Sequence, residues 1–86
     1  MPVTVLTLYG REGCHLCDEA RDAIEALAAE RGDIELREVD IDSDDRLLRA
    51  HLERIPVVEL EGREVSTLVL DPEALRAALE LHTVGP

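Results

Sequence analysis

Cys14 and Cys17 stand two residues apart in the stretch "LYGREGCHLCDEAR" and are the only two cysteines of the chain. A pair at this spacing can bind a metal, staple a fold, or pass electrons through a reversible disulfide. Position separates these possibilities. An apolar run precedes the pair and a helical pattern follows it, so Cys14 falls where a strand ends and a helix begins. The unpaired N–H groups and positive end of a helix favour a thiolate there, lowering the thiol pKa from its free value of about 8.5. Cys17 lies one turn later on the same side of the helix, within reach of a disulfide. One sulfur attacks and the other resolves, which is what thiol–disulfide exchange requires. Cys14, nearer the terminus, is read as the nucleophile and Cys17 as the resolving thiol.

Neighbouring charges modify this chemistry. Arg11 and Arg54 favour the thiolate if they lie close, whereas Glu12, Asp18 and Glu19 oppose it. His15 could donate a hydrogen bond to the Cys14 sulfur or point to solvent. The balance implies a moderate depression of the Cys14 pKa.

The elements that position the pair are legible along the chain. Val3 to Tyr9 is β-rich and apolar on both faces, which predicts a buried central strand. From Cys14 onward, Leu16, Cys17, Ala20, Ile24, Leu27 and Ala28 recur at helical spacing, and Gly32 follows as a left-handed C-cap. Ile34 to Ile41 reads as a second strand, with a phase slip between Leu36 and Val39 that predicts a bulge or an early end. Asp42 or Ser43 is expected to cap a short helix through Leu52, with Leu47, Leu48 and His51 turned at least partly inward. Pro56 to Leu60 and Arg63 to Leu70 read as strands joined by a Glu61-Gly62 turn. Asp71-Pro72 opens a last helix to about Leu81, with Leu75, Ala78 and Leu79 inward, and the tail "HTVGP" is expected to fray. The order is βαβαββα, an α/β arrangement in which the first two strands, joined by a helix, run parallel and the hairpin adds an antiparallel pair.

Composition sets limits. The 86 residues predict one domain over 1–86, and the plentiful Leu, Ile and Val argue for a folded, aliphatic core with Tyr9 as the only aromatic residue. The net charge is −11, from 20 acidic residues against 9 basic ones, all arginine. Such a surface repels phosphate backbones and offers no stacking platform, so a nucleic-acid partner is not expected. No segment approaches the roughly 18–20 apolar residues of a membrane helix, and "MPVTVLTLYG" lacks a basic n-region and a cleavage site. The expected setting is the cytoplasm, away from membranes. A structural disulfide does not persist in that reducing compartment, and one closing so short a loop constrains the unfolded chain little.

The strand, the C-x-x-C helix start, the following βα unit, "RIPVV", the hairpin and the last helix resemble the glutaredoxin branch of the thioredoxin-like superfamily over essentially the whole chain. The match is to its small glutaredoxin-like members of uncharacterised role. The resemblance implies a four-stranded mixed sheet flanked by helices. It implies a cis peptide bond before Pro56, with Pro56 facing the cysteines and the Ile55 backbone pairing with the incoming substrate. Typical glutaredoxins carry a proline and a tyrosine between the cysteines, where this chain has His15 and Leu16. They also hold glutathione with a Gly-Gly pair and an acidic residue after the fourth strand. Here Ser66 and Thr67 stand near that place, followed by Leu68, Val69 and Leu70. Arg11 and Arg54 remain as candidates to hold a glutathione carboxylate.

The reading is a monomeric dithiol oxidoreductase with no bound cofactor, acting on disulfide-containing proteins. Its electrons would come from a thioredoxin-reductase-like flavoenzyme or from glutathione. Two alternatives stand beside it. One is a zinc or iron–sulfur module in which a second subunit supplies the missing ligands, since the two thiols are half a tetrahedral site and His15, His51 and His82 are scattered. The other is an adaptor that keeps the fold without the chemistry.

Overall fold

The structure, a computed structural model, describes residues 3–83. Its elements are β1 (Thr4–Gly10), α1 (His15–Arg31), β2 (Ile34–Asp40), a single 3-10 turn (Ile41–Ser43), α2 (Asp45–His51), β3 (Val57–Leu60), β4 (Arg63–Thr67) and α3 (Pro72–Thr83). The four strands form one mixed sheet in the order β2-β1-β3-β4. β1 pairs with β2 in parallel and with β3 antiparallel, so the apolar first strand is central, as its two-faced hydrophobicity requires.

Alternation along the strands divides the residues between the two faces. Leu6 and Leu8 of β1 join Val58 and Leu60 of β3 on one face, where Ala20, Ile24 and Leu27 of α1 and Leu75 and Leu79 of α3 close the core. On the other face the Tyr9 ring stacks on His51 of α2, with centroids 4.7 Å apart, and the Tyr9 hydroxyl donates to Glu59 at 3.1 Å. Burial, and then this bond to a carboxylate, raise the Tyr9 pKa above its ordinary value, so the group stays a phenol and keeps donating.

Several boundaries differ from the sequence expectation, each for a local reason. β2 pairs with β1 without interruption from Ile34 to Asp40, and no bulge lies between Leu36 and Val39. The phase slip has another origin: Glu38 follows Ile34 and Leu36 on the α1 side of this edge strand and pairs there with Arg21. The irregularity in the sheet lies instead between β3 and β4, at Val58/Glu59. β2 stops at Asp40 because its carboxylate caps the 3-10 turn at the Asp42 N–H, which buries Ile41 in that turn. The cap of α2 is then Asp44, accepting from Arg46 N–H at 2.7 Å, and not Asp42 or Ser43. β3 starts at Val57, one residue after Pro56, which has no N–H to give to a ladder. β4 ends at Thr67, short of Leu70, because Leu68 takes a left-handed φ of 64° and its N–H turns to the Arg54 carbonyl at 2.9 Å.

Other signals hold. Gly32 caps α1 at φ 78°, its N–H on the Ala28 carbonyl. Glu61 and Gly62 both have positive φ, as a two-residue hairpin turn demands. Asp71 accepts from the Glu73 N–H at 3.0 Å, and Pro72 is the first residue of α3. α3 runs on to Thr83; the remainder of the tail expected to fray, residues 84–86, lies outside the described residues. No helix among the described residues is long and apolar enough to cross a membrane.

Ile24 is fully buried between the sheet and the two helices on its face. Ile24→Ala is expected to cost about 2–5 kcal/mol of stability. Urea unfolding followed by circular dichroism should show this as a lowered midpoint at unchanged slope.

Candidate active site

The site is built where β1 hands the chain to α1. β1 ends at Gly10, Gly13 turns the loop with φ 82°, and Cys14 is the N-cap of α1 in extended conformation. The capping atom is a sulfur. Cys14 Sγ accepts the Cys17 N–H at 3.1 Å, in the place usually taken by a Ser or Asp oxygen. The same sulfur is paired with Cys17 Sγ in a disulfide, across a Cα–Cα distance of 5.2 Å. The pair is asymmetric: Cys14 is half-buried, whereas Cys17 is 2% exposed. A thiolate released at Cys14 would therefore meet solvent and one helix N–H, while one at Cys17 would face the core.

Gly10 makes this packing possible. A Cβ built on Gly10 would lie 2.9 Å from Cys17 Sγ and 3.1 Å from Cys17 Cβ. No local sequence pattern marks this role. The contact spans seven residues and depends on how the helix folds back on the strand.

Pro56 reaches the same place from β3. Tyr9 pairs with Val57, and the antiparallel register carries Pro56 to the level of Gly10, beside the disulfide end of α1. The Ile55–Pro56 bond is cis, and Pro56 is buried. The loop before it is held by the His51 carbonyl, which accepts from both Arg54 N–H (2.8 Å) and Ile55 N–H (3.0 Å).

The two arginines expected to serve the site are engaged elsewhere. Arg11 pairs with Asp42 at 3.2 Å, and Arg54 pairs with Glu64 of β4. Arg21, one helical turn beyond Cys17, is held between Glu38 and Asp18, the first contact being the main one that raises its pKa. His15 is the first residue of α1; it is exposed, and the Cys14 sulfur takes its hydrogen bond from the Cys17 backbone instead. Ser66 and Thr67 are within β4, paired with Val58 and Val57, so the turn after the strand is made by Leu68, Val69 and Leu70. Among the described residues, no group of three or more His, Cys, Asp or Glu is placed to hold a metal ion. The His82 side chain lies outside them.

Two hollows flank the pair. A cavity of about 420 Å³ opens on the β2 side and is bordered by Gly10, Gly13, Cys17, Arg21 and Glu38. A smaller one of about 200 Å³ lies on the opposite side, between α1 and the segment that joins β4 to α3.

This geometry has close relatives. Residues 5–80 match the model of the Glutaredoxin-like domain (DUF836). The chain belongs to this family. Its fold is thioredoxin-like. The solved structure of Ne2328 from Nitrosomonas europaea superimposes with a TM-score of 0.77 at 32% identity, covering 91% of this chain and 93% of that one. XcR50 from X. campestris is 39% identical with a TM-score of 0.72, over 94% of this chain and 99% of its own. A mutant thioredoxin from Halobacterium salinarum gives a TM-score of 0.71 at 26% identity, over 99% and 80% of the two chains.

Two outcomes check the site. In the reduced protein, iodoacetamide near neutral pH should label Cys14 well before Cys17, as read by peptide mass spectrometry; faster labelling of Cys17 would reverse their roles. Gly10→Ala should lower thermal stability by about 1–3 kcal/mol, the usual range for overpacking a tight contact.

Proposed function

We propose that this protein is a dithiol thiol–disulfide oxidoreductase that reduces disulfides in other proteins. The observation that carries the reading is Cys14 Sγ as the N-cap of α1, half-exposed and at bonding distance from a buried Cys17. The helix start lowers the cost of a Cys14 thiolate. That thiolate attacks one sulfur of a substrate disulfide; the substrate S–S bond breaks, and the departing thiolate takes a proton from solvent. The Cys17 thiolate then attacks Cys14 Sγ, breaks the mixed disulfide and frees the second substrate thiol. Two electrons leave the protein, and the Cys14–Cys17 disulfide remains. Family membership and the likeness to thioredoxin support the reading.

The Ile55 backbone, in the loop that leads into β3, pairs in this reading with the extended substrate chain. The protein works as a monomer in the cytoplasm and carries no resident cofactor. Its electron donor is a protein dithiol of the thioredoxin-reductase-like class rather than glutathione. Three features support this choice. Arg11 and Arg54 already hold carboxylates of the chain itself, Leu68 to Leu70 occupy the turn after β4, and the net charge of −11 repels an anionic tripeptide.

Cys17→Ser should accumulate a mixed disulfide with an added protein disulfide such as insulin, and Cys14→Ser should be inactive; an active Cys14→Ser protein would sink the mechanism. Reduction of the Cys14–Cys17 disulfide should be faster with a thioredoxin-reductase-type flavoenzyme and its nicotinamide donor than with millimolar glutathione and glutathione reductase. The opposite ranking would make the donor glutathione.

A further inference from the structure

An apolar groove opens beside the disulfide, and the mechanism above makes no use of it. Leu16, inside the C-x-x-C, forms one end. Ala20 and Ala23 continue the α1 wall one and two turns further on, and Val69, Leu70 and Pro72 form the wall opposite. The small alanines leave the space, about 200 Å³, on the scale of one aliphatic side chain and its backbone. The rim is unusually apolar for a chain with this charge. Leu16 is 40% exposed and Val69 69%, and Leu68, the residue before Val69, is 50% exposed. Leu68 shows its side chain to solvent from a left-handed backbone that L residues avoid, and its N–H is tied to the loop before Pro56. Apolar groups clustered at one end of a protein mark an interaction surface more often than chance exposure does.

Charge selects among the occupants. Among the described residues, Glu19 is the only charged residue lining the groove, while Glu12 borders the larger cavity on the other side of the disulfide; neither has an ion-pair partner among those residues. The arginines nearest the site, Arg11, Arg21 and Arg54, are each neutralised by carboxylates. The mouth is therefore apolar with an uncompensated negative rim. A second copy of the chain would bring its own net charge of −11 to this rim and be repelled.

We infer that this groove selects the protein substrate: it takes an aliphatic side chain next to the target cysteine, in an extended segment whose flanks are basic. The inference rests on the redox reading above and narrows its substrate class. The Cys14 thiolate attacks the target sulfur while the neighbouring aliphatic side chain fills the space between Leu16 and Val69; Glu19 at the groove, and Glu12 on the other side of the disulfide, attract the flanking Arg or Lys residues.

The test uses synthetic peptides whose single cysteine carries a thionitrobenzoate mixed disulfide, released as the coloured thiolate when reduced protein attacks. The residue beside the cysteine is Leu or Ser, and the flanks are Arg or Glu. The Leu peptide with Arg flanks should react fastest, and added salt should shrink the Arg-over-Glu preference. Val69→Ser should slow the Leu peptide by about three- to tenfold more than the Ser peptide, a coupling of the size that contacting groups show. Glu19→Gln should reduce the preference for Arg flanks about two- to fivefold. Equal slowing of both peptides by Val69→Ser, or equal rates for Arg and Glu flanks, would overturn the inference. A redox-silent arm separates it from the parent reading: the Leu peptide with Ala in place of cysteine should shift the amide NMR signals of Ala20, Val69 and Leu70. If the peptides react no faster with wild type than with Cys14→Ser, the redox reading fails, and the NMR shifts alone decide the groove. Thiol exchange without coupling or shifts removes the groove and leaves the chemistry.

Discussion

Everything at the candidate site depends on how closely the end of β1 approaches the first turn of α1. Gly10 has no side chain, and the Cys17 sulfur occupies the space where one would be. That contact fixes α1 against the sheet and buries Cys17. It leaves Cys14, three residues earlier, as the cap at the open end of the helix. A larger residue at position 10 would have to push the helix away, moving both sulfurs relative to Pro56. The asymmetry between an accessible and a shielded thiol follows from packing, because the two cysteines are chemically identical.

The electrostatics of the site are set mainly by backbone. The arginines that could have favoured a thiolate are bound to Asp42, Glu64, Asp18 and Glu38. What remains near the Cys14 sulfur is the start of a 17-residue helix and one short N–H contact. These exposed ion pairs add little to stability, generally less than about 1 kcal/mol each. They also remove mobile positive charge from a region where Glu12 and Glu19 have no ion-pair partner among the described residues. In the function proposed above, the same neutralisation disfavours an anionic tripeptide and favours a basic polypeptide.

The second face of the sheet supports the loop that leads into Pro56. Tyr9, held by Glu59, stacks on His51, and the His51 carbonyl receives the N–H groups of Arg54 and Ile55. One residue of the central strand thus steadies the segment that leads into Pro56. The single aromatic side chain of the protein is used at this junction, while the core itself is filled by Leu, Ile, Val and Ala.

The sequence by itself determined the element order, the place of the cysteines at a helix start, the central position of β1, the hairpin turn and the caps at Gly32 and Asp71. These rest on local periodicity and on residues whose backbone preferences act within a few positions. The choice of Asp44 over Asp42 or Ser43 as the α2 cap was not legible, because four consecutive polar residues offer equivalent oxygens until Ile41 is pulled into the core. Nor was the regular pairing of β2, where Glu38 mimics a phase slip until Arg21 arrives from another element. Only the tertiary structure decided that Gly10 must lack a side chain, that Arg11 and Arg54 are occupied, that Ser66 and Thr67 belong to the ladder, and that Leu16 shares a groove with Val69. Each is a contact between residues of different elements or loops, and its partners are chosen by packing rather than by sequence neighbours.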